Sequence, residues 1–531
     1  MCGFLGEFCF IQGQISEQQE FDDLLFLSKQ RGPDNTSTYR KDNFQLGFNR
    51  LAILDLSDNG NQPKTSPSSR YHIVFNGEIY NYKELSAKHK LLGLESTSDT
   101  EVIIHLLDRL GVEDTIRELD GMFAIMIVDA EINTVFLTRD FAGIKPLFYG
   151  VSNKGIVAAS QFDQIFKHTW FSGNLNLNTN VVKEYFGFGY MQAPNTIYSS
   201  IFQIRPGELL SYTFEGEIER RQIQSFNSDV SGTKEKDPSL VKTFSSLISK
   251  EVENQLISDV PIASFLSGGI DSPIITAFAH QKKESLIAYT VKVNDEEFDE
   301  SKKATEYAKH LGIEQKLINI SNDGLIAIIN KHFKCFSEPF GDYSSIPTFG
   351  ITELARNKHT VMLSGDGGDE LFFGYPRMRH VVENKNWFKI PFLIRKPIVR
   401  VANKIGLLKT YAPYSYENIS DWALGKQLNI PLKVLDKFMP MTSFSREMKD
   451  LYTNVSNSFK TIDILNWLRK NEFYGHLQRV LIKVDRASMG NSLEVRVPLL
   501  GKQIVKKAFK IIPKDSVNFE LKYILKKIMS T

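Results

Sequence analysis

The spacing of apolar residues changes halfway along this 531-residue chain, and that change limits what the chain can fold into. In the first half, continuous or alternating apolar runs occur at Phe44 to Leu54, Tyr71 to Phe75, Phe123 to Val128, Val135 to Thr138 and Gly155 to Ala159. Asp, Asn, Gly and Pro separate them, which predicts strands joined by turns. Helical spacing appears only around Glu17 to Gln30 and Asp99 to Leu110. The expected fold of this half is α+β, an antiparallel sandwich with helices outside. A polar stretch, Ser225 to Ser239, then marks a boundary. Beyond it, a helix-period segment (Leu240 to Ile257) leads to the run Pro261 to Leu266, a Gly-rich turn and a helix from about Ser272. Apolar stretches at Leu286 to Val293, Lys316 to Ile320 and Thr360 to Leu363 alternate with helical patterns. Such alternation predicts an α/β doubly wound, mainly parallel sheet, and after Gly374 a largely helical part. The expected division is 2–215, a linker at 216–239, and 240–531.

Sixty-four Lys and Arg against 62 Asp and Glu leave a net charge of +2, so no global field draws the chain to nucleic acid or lipid. Cys2, Cys9 and Cys335 make neither a disulfide framework nor a metal quartet, which points to a reducing compartment. The first residues lack a basic segment followed by an apolar one, and Met122 to Val128 is far short of the roughly 20 residues that span a bilayer. The expectation is a cytoplasmic enzyme with neither nucleic-acid nor membrane partners. One local exception is Arg377 to Lys409, where Lys389, Arg395, Lys396, Arg400 and Lys404 crowd an apolar background. A membrane-surface contact is conceivable there. The preferred reading is an amphipathic helix covering the sheet.

The chain begins Met1-Cys2-Gly3. Removal of the initiator would leave Cys2 with an α-amine of pKa about 7.7–8.0, able to take up the thiol proton, so that nucleophile and base share one residue. Alone the dipeptide is weak, but an ordered set follows: Arg31-Gly32-Pro33-Asp34, Asn49-Arg50-Leu51-Ala52-Ile53, Phe75-Asn76-Gly77-Glu78-Ile79-Tyr80-Asn81, Ser98-Asp99-Thr100-Glu101, Asp120-Gly121-Met122-Phe123-Ala124, and Arg139-Asp140 to Gly143-Ile144-Lys145-Pro146-Leu147-Phe148-Tyr149. These residues resemble the class II, N-terminal-nucleophile glutamine amidotransferases. The resemblance implies Cys2 as nucleophile and the Asn76 amide with the Gly77 N–H as oxyanion donors. It further implies Arg50 as a planar two-armed grip for the glutamine carboxylate, and Asp99 with Glu78 at its ammonium. Taken singly, Arg50 reads as a surface ion pair and Asp99 as a cap on a helix starting at Thr100.

Ser267-Gly268-Gly269-Ile270-Asp271-Ser272 joins a strand to a helix, an arrangement whose backbone N–H groups and helix dipole suit an anion. It has no Walker Lys. The string resembles the PP-loop of the N-type ATP pyrophosphatases, which split ATP between its α and β phosphates. Pro273 stands where that family commonly has a residue with a backbone donor, and Ser272 with Pro273 reads as an N-cap followed by Pro at the first helical position. A second strand ends in Ser364-Gly365-Asp366-Gly367-Gly368-Asp369-Glu370, three carboxylates at a sheet edge, suited to Mg²⁺.

Together the halves resemble the glutamine-hydrolysing asparagine synthetases from Cys2 to about Lys522, with further support from Glu338-Pro339-Phe340-Gly341-Asp342 and Lys483-Val484-Asp485-Arg486-Ala487-Ser488-Met489. The resemblance implies ATP as co-substrate, held by Leu266, Ser267, Gly268, Gly269, Asp271, Ser272, Val291, Ser364 and Gly365. Mg²⁺ would sit at Asp271 and Asp369. Asp366 matches a position associated with adenylate formation, and Lys522 one that stabilises charge on the α-phosphate. It implies glutamine and aspartate as the other substrates, β-aspartyl-AMP as intermediate and an apolar interdomain passage for ammonia. The sequence does not fix the oligomeric state, and a homodimer is the assembly to look for. Gly501, after Pro498-Leu499-Leu500, stands where an Asp is usual. The alternatives are the same machinery acting on another carboxylate, such as a sugar uronate or a peptide side chain, and a catalytically silent glutamine or nucleotide sensor.

Overall fold

The structure is a computed structural model, and it describes all residues except 1, 11–13, 227–231, 294–298, 320–321, 406–412, 454–459, 515 and 517. Two six-stranded antiparallel sheets make the first half. One runs 201–203, 148–151, 155–159, 3–9, 44–50, 35–40 across its width, and the other 218–222, 208–213, 134–139, 121–129, 71–79, 64–65. Alternate side chains meet between them: Phe4, Phe8, Leu46 and Phe48 from one sheet pack on Val74, Met126, Val128 and Leu137 from the other. The remaining side chains of Gly121–Asp129, among them Phe123, Ile125 and Ile127, pack against helix Asp99–Leu110 on the outer face. Both faces of that strand are therefore covered, which is why its sequence is apolar without alternation. Helix Gln18–Phe26 covers the other sheet through Phe21, Leu24 and Leu25. The result is the expected α+β sandwich with helices outside.

Several local expectations shift. Helix Gln18–Phe26 is shorter than Glu17 to Gln30, with a separate turn at Lys29–Arg31, and the strand from Phe44 ends at Arg50 rather than Leu54. Helices Tyr82–Lys88 and Val112–Glu118 lack a strong sequence signal. Asp99 is not a cap: the Ser98 hydroxyl accepts from the Glu101 N–H, and Asp99 lies in the first turn. The segment 216–239, read as a linker, opens with strand Ile218–Gln222, paired to Glu208–Thr213, and its Thr233–Lys234 pairs in parallel with Ile511–Ile512. Residues 227–231 of it lie outside the described set.

The second half carries a five-stranded parallel sheet in the order 314–319, 287–292, 262–265, 361–363, 494–496. Strand Ile262–Phe265 is flanked by the strand that follows it on one side and by Val361–Leu363 on the other. The chain order reverses there, and the C-terminal ends of those two strands open the crevice where such sheets bind ligands. Asp237 caps helix Pro238–Gln255, whose first residue is Pro, and Leu240, Phe244, Ile248 and Val252 recur at fourfold spacing into the core. That core also takes in Leu51, Ile53, Met122, Phe141, Ala142 and Ile144 from the first half, so one apolar interior joins the two. Among the described residues, no helix is long and apolar enough to cross a membrane.

Gly501 sits on a buried carboxyl. A Cβ there would lie 2.4 Å from Glu251 Cδ and 2.6 Å from its Oε2. Burial, and after it the nearby Asp120, push the Glu251 carboxyl up to about 7. An Asp at 501 would set a second carboxylate against it, so Glu251 explains the absence of the usual residue. The pH dependence follows. Between the ordinary glutamate pKa of 4.5 and about 7, the folded protein keeps a proton that the unfolded chain has lost, so this group costs stability as pH rises through that window. Glu251→Gln should match the parent at pH 5 and exceed it by on the order of 2–3 kcal/mol at pH 8 in denaturant titrations. A pH-independent difference would refute this account.

Candidate active sites

Cys2 is buried at the end of the strand that starts at Gly3. Its backbone nitrogen donates to Asn76 Oδ1 at 2.9 Å, and the Leu51 N–H donates to its Sγ at 3.5 Å. Burial pushes the thiol's pKa up. Because Asn76 Oδ1 is engaged, the side-chain amide is fixed in direction, and its Nδ2 is fully buried without a hydrogen-bond acceptor among the described residues. A buried unpaired donor costs about 1–3 kcal/mol. Next to a nucleophile it is the arrangement an oxyanion would satisfy. Gly77 follows in the same strand, where a Cβ would come within 2.0 Å of the Met122 carbonyl oxygen.

Cys2, Arg50, Gly77, Glu78 and Asp99 line one small pocket of about 30 Å³. Burial pushes Asp99 up to about 6 and Glu78 well above the usual carboxylate range. The Asp99 oxygens accept from the Ile79 and Thr100 N–H groups, both at 2.8 Å. Arg50 departs from the simple expectation of a free two-armed grip. Its guanidinium donates to Ser57 O (2.7 Å), Asn61 Oδ1 (2.8 Å), Leu54 O (3.2 Å) and Asp55 O. It therefore gathers the loop 54–61 over the pocket, and a bound carboxylate would have to take over some of those bonds. That loop also reaches the second half, because the Asp259 N–H donates to Ile53 O at 3.0 Å and the Asp55 N–H to Asp259 Oδ2 at 2.8 Å.

At the crevice of the parallel sheet lies a cleft of about 780 Å³, lined by Leu266, Ser267, Gly269, Asp271, Ser272, Val291, Ser364, Gly365, Asp366, Asp369 and Lys522, all expected there. Gly268 is adjacent but does not line it, since its N–H donates to Glu300 Oε2 at 3.0 Å. The loop amides are tied internally: the Ser267 N–H donates to Ser272 Oγ at 2.9 Å and the Gly269 N–H to Ser267 Oγ at 3.2 Å. The helix begins at Asp271, with Ile270 at its cap and no capping side chain, so the expected Ser272 cap is not formed. Pro273 falls in the first turn, where its missing N–H breaks no helical bond. Sequence reasoning did not single out Glu300, Glu370, Tyr375 or Lys483, which also line the cleft. Burial pushes Glu370 up to about 8, with the Tyr375 hydroxyl donating to its Oε1 at 2.6 Å. Glu370 and Lys483 stood in quoted motifs, whereas Glu300 has no local signal.

Lys522, part-buried, bridges Asp271 Oδ2 (2.7 Å) and Asp369 Oδ1 (2.8 Å). Burial pushes Asp271 up to about 7 despite this partner, and its Oδ1 has no hydrogen bond. Gly374 makes the cluster possible: a Cβ there would lie 1.9 Å from Asp369 Oδ1 and 2.4 Å from Lys522 Cε. The carboxylates are the hard oxygen donors that Mg²⁺ prefers. No trio of His, Cys, Asp or Glu side chains among the described residues forms a metal site by itself. Cys9 and Cys335 have no such surroundings. Cys9 is core, its pKa pushed by burial to about 12.

Helix Leu477–Met489 ties the two sites. Its Val480, Lys483 and Val484 line the cleft, and its Asp485 takes both arms of Arg31 at 2.9 and 3.0 Å. The Arg31 Nε donates to the Cys2 carbonyl at 3.2 Å.

Residues 1–223 match a family model described as a glutamine amidotransferase domain, and residues 243–531 one described as asparagine synthase. The chain is 30% identical to asparagine synthetase [glutamine-hydrolyzing] 1 of Bacillus subtilis, across 99% of this chain and 84% of that protein. It is 29% identical to asparagine synthetase [glutamine-hydrolyzing] 3 of the same organism (96% and 81%). A putative asparagine synthetase of Methanocaldococcus jannaschii is 31% identical over 75% of this chain and 79% of its own.

Asn76→Ala removes the unpaired donor beside Cys2. It should lower kcat for glutamine hydrolysis by about 100- to 1000-fold, with KM changed far less. A loss carried by KM alone would show that Asn76 binds substrate rather than the oxyanion.

Proposed function

The chain belongs to the glutamine-hydrolysing asparagine synthetases, and from that premise we propose how its own residues divide the reaction. The first site takes glutamine. With the initiator removed, the Cys2 amine accepts the thiol proton and Sγ attacks the side-chain carbonyl carbon. Asn76 Nδ2 and the Gly77 N–H meet the resulting oxyanion. Arg50 holds the α-carboxylate, and Asp99 with Glu78 the ammonium. Arg50 gathers the loop 54–61 over this pocket, so a bound α-carboxylate takes over some of the bonds its guanidinium makes to that loop. Ammonia leaves, and water releases glutamate from the thioester.

The second site takes ATP and aspartate, the acceptor that the names of the relatives favour over a uronate or a peptide side chain. Leu266, Val291, Ser364 and Gly365 surround the nucleoside, and the loop from Ser267 to Ser272 faces the outer phosphates. Asp271 and Asp369 would hold Mg²⁺, which when bound would supply positive charge to offset that of the phosphates. The β-carboxylate of aspartate attacks the α-phosphorus and pyrophosphate leaves. Lys522 offsets negative charge there, and Asp366 orients the reacting groups. Ammonia then attacks the acyl carbon, and AMP leaves with the proton balance made up by water. Ammonia is a nucleophile only when neutral. The shared apolar core of Leu51, Ile53, Met122, Phe141 and Ile144 against Val497, Leu499 and Leu500 supports a dry route between the sites.

The observation that carries this reading is the linkage of a thiol pocket to a nucleotide-sized cleft through Arg31 and Asp485. It is tested by mass spectrometry of the products formed with ATP, Mg²⁺, glutamine and a panel of carboxylates. Asparagine, AMP and pyrophosphate should appear with aspartate, and amidation of another acid in its place would overturn the choice of acceptor. Cys2→Ala should abolish glutamine-dependent synthesis and retain synthesis from ammonium salts. Loss of both would refute the separation of the two chemistries. Lys522→Met should show the converse, with glutaminase activity kept and aspartate-dependent pyrophosphate release reduced by about 100-fold or more. Unchanged release would remove Lys522 from the reaction.

A further inference from the structure

The basic segment after the cleft does not do what its pattern suggested. Helix Phe392–Lys404 buries Arg395 and Val399, while Leu393, Ile394, Ile398, Val401 and Ile405 are each more than half exposed, Leu393 at 85%. The expectation that its apolar face covers the sheet is therefore overturned. At 100° per residue these five exposed side chains fall in one arc of about 140°, and Lys396, Arg400 and Lys404 form a row along one edge of it.

We propose that this helix is a docking surface for an anionic lipid membrane, lying in the plane of the interface with its aliphatic arc among the acyl chains. The inference is independent of the reaction assigned above, and it revises the expectation of no membrane partner.

Charge identifies the occupant. The 33 residues between Glu383 and Glu417 carry seven Lys or Arg and no Asp or Glu, in a chain whose net charge is only +2. Lys389, Lys396, Arg400 and Lys404 are exposed and make no ion pair among the described residues, so their charge faces outward. Trp387 and Ile390, both over 40% exposed, extend the apolar surface just before the helix, where an aromatic ring suits the headgroup level. The helix has 13 residues, about 20 Å, too short for a hydrocarbon layer of about 30 Å. Its mixture of a broad aliphatic arc with a cationic rim is that of a helix lying on a bilayer rather than spanning it. A neighbouring copy of this chain would meet the same positive rim with its own, which disfavours self-association through this face.

The test is co-sedimentation of the full chain with vesicles of phosphatidylcholine alone or mixed with phosphatidylglycerol, at low and high salt. The parent should bind the anionic vesicles, with binding reduced by salt, and leave the neutral ones largely unbound. Each surface cation contributes about fivefold to partitioning, so K396A/R400A should weaken binding by about 25-fold. L393S/I398S should weaken it at every salt concentration. Both variants should keep asparagine synthesis at the parent rate, because neither touches a substrate site. Equal binding to neutral and anionic vesicles, or unaltered binding by both variants, would overturn the proposal. So would a parent that self-associates, by light scattering, in a way that L393S/I398S abolishes while vesicle binding is unaffected.

Discussion

Arg31 and Asp485 are both almost fully buried, and their paired hydrogen bonds are the contact on which the geometry of both sites depends. Taking two charges out of water costs several kcal/mol each, recovered only where the geometry is good and the remaining donors are used. Here they are used. Burial alone would raise the Asp485 carboxyl, but Arg31 and Arg486 hold it well below the usual carboxylate range, and Arg486 is itself paired with Glu338 at 2.7 Å. The third Arg31 donor goes to the Cys2 carbonyl. One guanidinium thus positions Cys2 against a helix whose preceding turn, Val480 to Val484, forms a wall of the cleft. A greasy contact of equal area would join the halves but would tolerate sliding. A fork of fixed geometry does not.

The rest of the junction follows the same logic. Arg496, at the end of the edge strand Glu494–Arg496, donates to the Gln255 and Ile257 carbonyls, pairs with Glu494 at 2.6 Å, and comes within 3.7 Å of Glu78 Oε1 in the thiol pocket. A residue of the parallel sheet therefore sets the electrostatic surroundings of Glu78 in the antiparallel domain. The Asp259 contacts to Ile53 and Asp55 make a second tether, from the turn just before strand Ile262–Phe265 to the loop over the glutamine pocket. That strand runs into Ser267. These bonds connect the loop over one site to the strand that leads into the Ser267–Ser272 loop of the other.

Much of this was legible in the sequence because it lies in strings of fixed spacing. The strand Gly155–Ala159 and helix Asp99–Leu110 were readable from their periodicity, and the motif holding Asn76 and Gly77 lies beside Cys2 as its order suggested. Three things were not legible, each for a physical reason. The apolar run from Phe44 looks like strand to Leu54, but the backbone leaves the sheet after Arg50, where Leu51 delivers its N–H to a sulfur 49 residues away. Arg50 was read as a two-armed grip for a carboxylate, yet four acceptors from a loop of no distinctive composition occupy it. The helix from Phe392 shows which residues share a face, but periodicity does not say which face is buried. Val399 and the stem of Arg395 point inward, and the larger aliphatic arc does not.

Lys522 shows what the fold must supply beyond a motif. Its backbone is left-handed, with φ of +54°, as is that of Phe373, with φ of +56°, and such conformations cost of order 1–3 kcal/mol for residues with side chains. The two meet where the Lys522 N–H donates to the Phe372 carbonyl at 3.0 Å, so the strained segments hold each other. The strain delivers an ammonium between Asp271 and Asp369 with only a Gly374 Cα-sized space to pass through. Before a phosphate arrives, the charge of Lys522 is balanced by those carboxylates, which keeps it in place without leaving a bare cation in a part-buried site. A phosphate group is more negative than either, so it can draw the ammonium away over a short distance while the side chain stays anchored by its backbone. For the role proposed for Lys522, preorganisation of this kind would lower the reorganisation needed when charge develops on the α-phosphate.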